Sequence, residues 1–196
     1  MGQFSVVVRS ATQTEALGAA LSAALSAALE SCLAPQSAVP DSGRAADLVR
    51  AAKVARAGGA WTLHLSGDLG AGKTTLVRGA LRHLGFAGAV RSPTFSIMES
   101  YAARGWHVLH LDLYRLRTAD ELLGLGLADY DQSDAFWMIE WPERGGSRLP
   151  TPDLSLQLSA LAEPAHDYNE WRQVSLQSHS PRGQLWFDNL EISHLS

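Results

Sequence analysis

The chain has 196 residues, 46% hydrophobic and 18% charged, a balance that fits one folded domain with a sizeable core and excludes a disordered chain. Its 16 Lys plus Arg against 20 Asp plus Glu give a net charge of −4, which argues against a nucleic-acid grip by the chain alone. The longest apolar runs fall well short of the ~18 residues of a membrane span. Cys32 is the only cysteine, so an internal disulfide and a cysteine-based metal centre are excluded. MGQFSVVVRS has no secretory pattern, and Val6 breaks the myristoylation motif. The expectation is a soluble cytosolic protein with no membrane partner.

Residues 4–9 (FSVVVR) read as a short strand. A helix follows, with Thr12 or Thr14 as its cap and Leu17, Leu21, Leu25 and Leu29 on one face. That stripe faces a core, because the polar side carries Ser and Ala rather than the Lys and Arg of a membrane-surface helix. A Pro/Ser/Gly loop over 34–43 leads to a second Ala-rich helix, Arg44 to Arg56, ending at Gly58-Gly59. From Trp61 come a strand (WTLHLSG), a glycine-rich turn (GDLGAGKTT) and a helix (LVRGALRHLG) closed by Gly85. Further strands are expected at 95–101, 106–112, 136–140, 154–160 and 171–177, with a helical segment around 118–127. This order predicts a single α/β domain, a mostly parallel sheet flanked by helices. From His179 onward the chain is polar apart from LWF, and no element is assigned there.

Gly67-Asp68-Leu69-Gly70-Ala71-Gly72-Lys73-Thr74 fits G-x-x-x-x-G-K-[ST] and sits between a strand and a helix, as a phosphate loop must. Glycines let successive backbone N–H groups turn inward into an anion cradle, and the helix start adds its positive end. Lys73 supplies a flexible charge for the β/γ-phosphates, and the Thr74 hydroxyl suits a Mg²⁺ shell. Only two lysines occur in the chain, and one occupies this slot. The fold class is therefore that of the P-loop NTPases, and a bound nucleoside triphosphate is expected.

Such a site needs a further acid at the C-terminal end of a neighbouring strand. FWMI-Glu140 is an apolar run ending in a carboxylate, as a buried central parallel strand would be; HVLHL-Asp112 is the second candidate. Glu140 is assigned to Mg²⁺, and Asp112 to water or the outer metal shell. His107 and His110 are three apart on a strand and point to opposite faces, so they are not paired metal ligands, and His110 reads as a hydrogen-bonded structural histidine.

With GDLGAGKTT, SPTFSIMESY (92–101), HLDLYRL (110–116), ELLGLGLADY (121–130) and IEWPERGG (139–146) in this order, the sequence resembles the TsaE (YjeE) family over about residues 4–30 and 60–177. These are small ATPases required for bacterial threonylcarbamoyladenosine (t6A) modification of tRNA. The resemblance implies ATP with Mg²⁺ and cytoplasmic assembly with TsaB and TsaD, where TsaD transfers the threonylcarbamoyl group and ATP hydrolysis resets the complex. The negative net charge suggests that tRNA is met through the partners. The resemblance also implies phosphate contacts from Gly70, Ala71, Gly72, Lys73, Thr74 and Thr75, metal contacts from Thr74 and Glu140, and a switch role for Thr94 near the γ-phosphate. Asp112 becomes a mechanistic acid, Trp141 follows the metal-binding Glu, Thr12 and Thr14 approach the nucleobase, and Arg172 contacts the nucleotide. Two departures stand out: the Ser31–Gly59 segment exceeds the family's usual link, and residues after about Ser178 are extra. The expected division is thus an ATPase domain over 1–178 and a tail over 179–196.

Two other classes share this loop. A small-molecule P-loop kinase would need a lid with arginines such as Arg144 and Arg148. A GTPase-type module would need an N-K-x-D, which the chain lacks.

Overall fold

The computed structural model describes residues 2–33, 59–131, 134–161 and 171–191. The expected helix from Arg44 to Arg56 lies outside the described residues, as does most of the Ser31–Gly59 segment.

Seven strands form one sheet: β1 (Gln3–Val8), β2 (Trp61–Gly67), β3 (Met98–Ala103), β4 (Trp106–Asp112), β5 (Ala135–Glu140), β6 (Leu154–Ala160) and β7 (Arg172–Ser178), in the order β1-β7-β6-β2-β5-β4-β3. Parallel pairing is confined to β6-β2-β5-β4; β3 runs antiparallel to β4, and β7 runs antiparallel to β6 and β1. The β3 edge reverses because its connection to β4 is short. Arg104 (φ 45°) and Gly105 (φ 81°) form a two-residue turn with both centres left-handed, the geometry that joins twisted antiparallel strands. β3 starts later than residue 95 because residues 93–97 make a tight turn, closed by the Ile97 N–H on the Pro93 carbonyl at 2.6 Å.

Helix α1 (Ala11–Leu33) buries Leu17, Leu21 and Leu25 in the larger core, with Leu29 packed at its margin. Its cap is Ser10, whose Oγ accepts the Gln13 N–H at 3.1 Å, and neither Thr12 nor Thr14 fills that role. Thr14 instead donates its hydroxyl to the Ser10 carbonyl at 3.1 Å. Helix α2 (Lys73–His83) crosses α1 at backbone distance. A Cβ on Gly79 would fall 2.0 Å from the Glu15 carbonyl oxygen, and one on Gly18 2.0 Å from that of Leu76. Glu15 also pairs with Arg78 and Arg82 of α2.

Both helices cover the sheet face carrying Leu63, Leu65, Phe136, Met138, Leu154 and Leu156. The second face of β4 and β5 packs Leu109, Leu111, Trp137 and Ile139 against 3₁₀ turns, including Ala119–Leu125, where a longer helical segment was expected. With both faces covered, every residue of β5 is buried.

Residues after Ser178, left without an element by the sequence, form helix α3 (Pro181–Asp188), capped by Ser180 and opened by Pro181. Arg182 donates to both carboxylate oxygens of Asp153, at 3.1 and 2.7 Å, and to the carbonyls of Gly59 and Ala60 at 2.8 and 2.7 Å. Asp153 also accepts the Thr62 N–H at 3.1 Å, which ties α3 to the start of the central strand β2. Trp186 is fully buried, packs edge-on against Trp61 and Phe136, and donates Nε1–H to the Leu21 carbonyl at 2.8 Å. No helix of the described residues is long and apolar enough to cross a membrane.

Candidate functional site

The site grows from the end of β2. Gly67 leaves the strand at φ 141°, and Gly70 (78°) and Gly72 (104°) hold backbone conformations that a side chain resists, so the loop turns back into α2. The first turn of α2 closes on the loop through the Leu76 N–H on the Gly72 carbonyl at 3.0 Å. The free N–H groups of that turn face the loop, as an anion cradle requires.

Lys73 is 4% exposed. Its Nζ donates to the Gly67 and Asp68 carbonyls at 2.6 and 2.8 Å and lies 4.0 Å from the Trp141 ring centre. Burial pushes its ammonium below the ordinary lysine value; Glu140 and then Asp112, Glu143 and Asp68 oppose that shift. Trp141 is held over Lys73 by a left-handed backbone (φ 59°), with its N–H on the Leu65 carbonyl at 3.1 Å.

β4 and β5 are in parallel register with Asp112 opposite Glu140, so their last residues bring two carboxylates side by side. Glu140, 3% exposed, accepts from Thr74 Oγ1 at 2.8 Å through Oε1, and the same oxygen lies 2.9 Å from His110 Nε2. Asp112, 4% exposed, accepts the Tyr114 N–H at 3.1 Å through Oδ1. Its Oδ2 accepts from Thr94 Oγ1 at 3.1 Å and from Ser92 Oγ. Ile97, β-branched yet at φ 65°, fixes this turn against β4: its carbonyl accepts the Asp112 N–H at 2.9 Å.

Leu69, Gly70, Ala71, Gly72, Lys73, Thr74, Thr75, Thr94, Asp112, Glu140 and Trp141 thus line one recess of about 410 Å³, together with Ser92, Tyr114 and Arg115. A smaller recess of about 130 Å³ adjoins it, lined by Thr14, Arg172, Gly70, Ala71, Gly72, Thr75 and Ala11. Arg172 reaches the Gly70 carbonyl at 3.4 Å. Gly67 contributes its carbonyl to Lys73. Thr12 is exposed and lines neither recess. His107 is exposed on β4, whereas His110 is fully buried and joins the site through Glu140. Arg148 is engaged with Asp120 at 2.8 Å, and Arg144 lies over the Tyr114 ring.

The sequence alone does not mark Ser92 as a site residue or give His110 a role at the carboxylates. The signal for His110 was its i, i+2 relation to Asp112 on one strand, which puts both on the same face. Thr74 and Glu140 bring two hard oxygen donors together, which fits a divalent cation such as Mg²⁺, whose remaining positions water and phosphate oxygens would fill. The inward amides, Lys73 and the positive end of α2 fit polyphosphate.

A glycine-rich loop opening a helix, with two carboxylates closing adjacent parallel strands beside it, defines a P-loop α/β protein. Residues 8–168 match the sequence profile of the family described as Threonylcarbamoyl adenosine biosynthesis protein TsaE. The chain belongs to the TsaE family. It is 45% identical over 96 residues to a Haemophilus influenzae tRNA threonylcarbamoyladenosine biosynthesis protein TsaE, covering 49% of this chain and 61% of that one, less than two thirds of the relative's length. A Streptomyces coelicolor protein of the same description is 43% identical over 140 residues, covering 70% of this chain and 89% of the relative. In fold, it is similar to the crystal structure of Bacillus subtilis YdiB, with a TM-score of 0.65, 21% identity, and coverage of 96% of this chain and 94% of that one.

Proposed function

We propose that the chain is a Mg²⁺-dependent ATPase of t6A formation in the cytoplasm, hydrolysing ATP to reset a complex with TsaB and TsaD and meeting tRNA through them. The observation that carries this reading is the 2.8 Å contact between Thr74 Oγ1 and Glu140 Oε1 at the mouth of the phosphate loop. Loop amides and Lys73 hold the phosphates, while Thr74 and Glu140 hold the cation. Mg²⁺, held by Thr74 and Glu140, would neutralise charge on the phosphates. Thr94, anchored by Asp112, stands where the terminal phosphate would be sensed, and Thr14 with Arg172 borders the adjoining nucleoside side.

The same geometry supports a slow intrinsic rate. Asp112 already accepts from Tyr114, Ser92 and Thr94, and Glu140 Oε1 accepts from Thr74 and His110. Neither is a ready base for water, so the partners must complete the site. The test is phosphate release from ATP by the chain alone and with purified TsaB and TsaD. Slow release that rises sharply with both partners is expected. Fast release alone, or release indifferent to the partners, overturns the coupling.

A further inference from the structure

His110 is a buried titratable side chain to which the reading above gives no role of its own beyond its contact with Glu140. It sits two residues before Asp112 on β4, opposite Met138 in the register, which sets it diagonally below Glu140 on the face covered by α2. Its ring is fully buried, and its Nε2 is 2.9 Å from Glu140 Oε1. An ionised carboxylate only accepts, so Nε2 carries the hydrogen in this contact. Nδ1 is buried and has no hydrogen-bond partner among the described residues. A core-filling histidine would satisfy both nitrogens or be replaced by an apolar side chain of similar volume, since an unmet buried acceptor is costly. Here one nitrogen is left unmet while the other is spent on Glu140.

Glu140 Oε1 has two donors, and they differ in kind. The Thr74 hydroxyl belongs to the phosphate loop and is itself a proposed ligand, so its oxygen is shared between Glu140 and the cation. The imidazole is wedged in the core and has no such second duty. We propose that His110 is a positioning residue that pins the Glu140 carboxylate through Nε2–H and so sets the orientation in which Glu140 and Thr74 receive the divalent cation. This rests on the assignment of Thr74 and Glu140 as the cation pair. Donors that orient ligating side chains in this way are typically worth ~10- to 100-fold in metal affinity.

The test measures Mn²⁺ affinity by electron paramagnetic resonance, with a non-hydrolysable ATP analogue present, in the full chain and in H110L, H110Q and E140Q. Thermal unfolding of each variant is recorded in parallel. Expected are Mn²⁺ binding at least ~10-fold weaker in H110L and recovery to within ~3-fold in H110Q, whose amide places a donor at the reach of Nε2. Nucleotide affinity without metal should be unchanged in both. A core-filling role would instead leave H110L unaltered in Mn²⁺ affinity, and that result overturns the proposal. If H110L does not fold, H110N, whose donor stops short of Glu140, is compared with H110Q, and equal Mn²⁺ affinities overturn it as well. Should E140Q retain Mn²⁺ affinity, the cation pair itself is misassigned. Loss in E140Q without loss in H110L sinks the positioning role alone.

Discussion

Replacing Arg182 by methionine keeps most of the side-chain volume and removes every donor that ties α3 to β2. The guanidinium now makes four hydrogen bonds, two to Asp153 and one each to Gly59 and Ala60, and the paired side chains are only 11% and 5% exposed. Without it, the Asp153 carboxylate keeps the Thr62 N–H and the Ser180 hydroxyl but loses its countercharge, and the Gly59 and Ala60 carbonyls each lose a donor. Breaking a buried ion pair on one side costs about 3–5 kcal/mol. For a domain of this size each kcal/mol moves the midpoint by roughly 2–4 °C, so R182M should melt about 6–20 °C lower. Thermal unfolding followed by circular dichroism reads this directly. D153N, which removes the stranded charge, should recover part of the loss when combined with R182M, because the two changes share one pair. A shift below about 3 °C in R182M would refute the reasoning and reduce α3 to an appendage.

Lys73→Ala removes a charged donor from the loop and should weaken ATP binding ~10- to 150-fold, read by titration of a fluorescent nucleotide; unchanged affinity would contradict the site. Glu140→Ala should still fold yet lose Mg²⁺-dependent turnover by ~10-fold or more, and full turnover would move the metal role to Asp112. His64 is lowered from 6.5 to about 4 by burial and then by the nearby His179 charge. The folded state therefore resists its protonation: this stability is whole above pH ~6.5 and is lost as pH falls towards about 4, by up to about 2–3 kcal/mol. Urea midpoints at pH 7 and pH 4.5 should differ less in His64→Asn than in the parent chain; an equal difference would clear His64 of the effect.

The loop, the two carboxylates and the strands carrying them were legible because their residue types are dictated locally. Gly70 and Gly72 need positive φ, and Glu140 ends an apolar run that only a buried strand explains. What the sequence concealed depends on distant pairing. Nothing near Arg182 announces Asp153, 29 residues earlier in the chain, and a helix of eight residues carries too short a period to stand out. Ser10 was overlooked as the cap because three hydroxyl residues lie within five positions, and only the Gln13 contact separates them. The late start of β3 has a similar origin: a β-branched Ile97 in a left-handed turn contradicts local preference and is held there by Pro93 and Asp112. His110 looked like an ordinary core residue until the register set it beneath Glu140.

The crossing of α1 and α2 has a consequence for tuning. Thr14 and Thr75 both line the smaller recess, and the two belong to helices whose separation is fixed by the missing Cβ atoms of Gly18 and Gly79. The gauge of that slot is therefore a property of two residues that touch no ligand. A single methyl at either would force the helices apart and widen the groove between Thr14 and Thr75. On the ATP reading proposed above, helix spacing would tune the nucleoside side of the groove and the loop glycines the phosphate side.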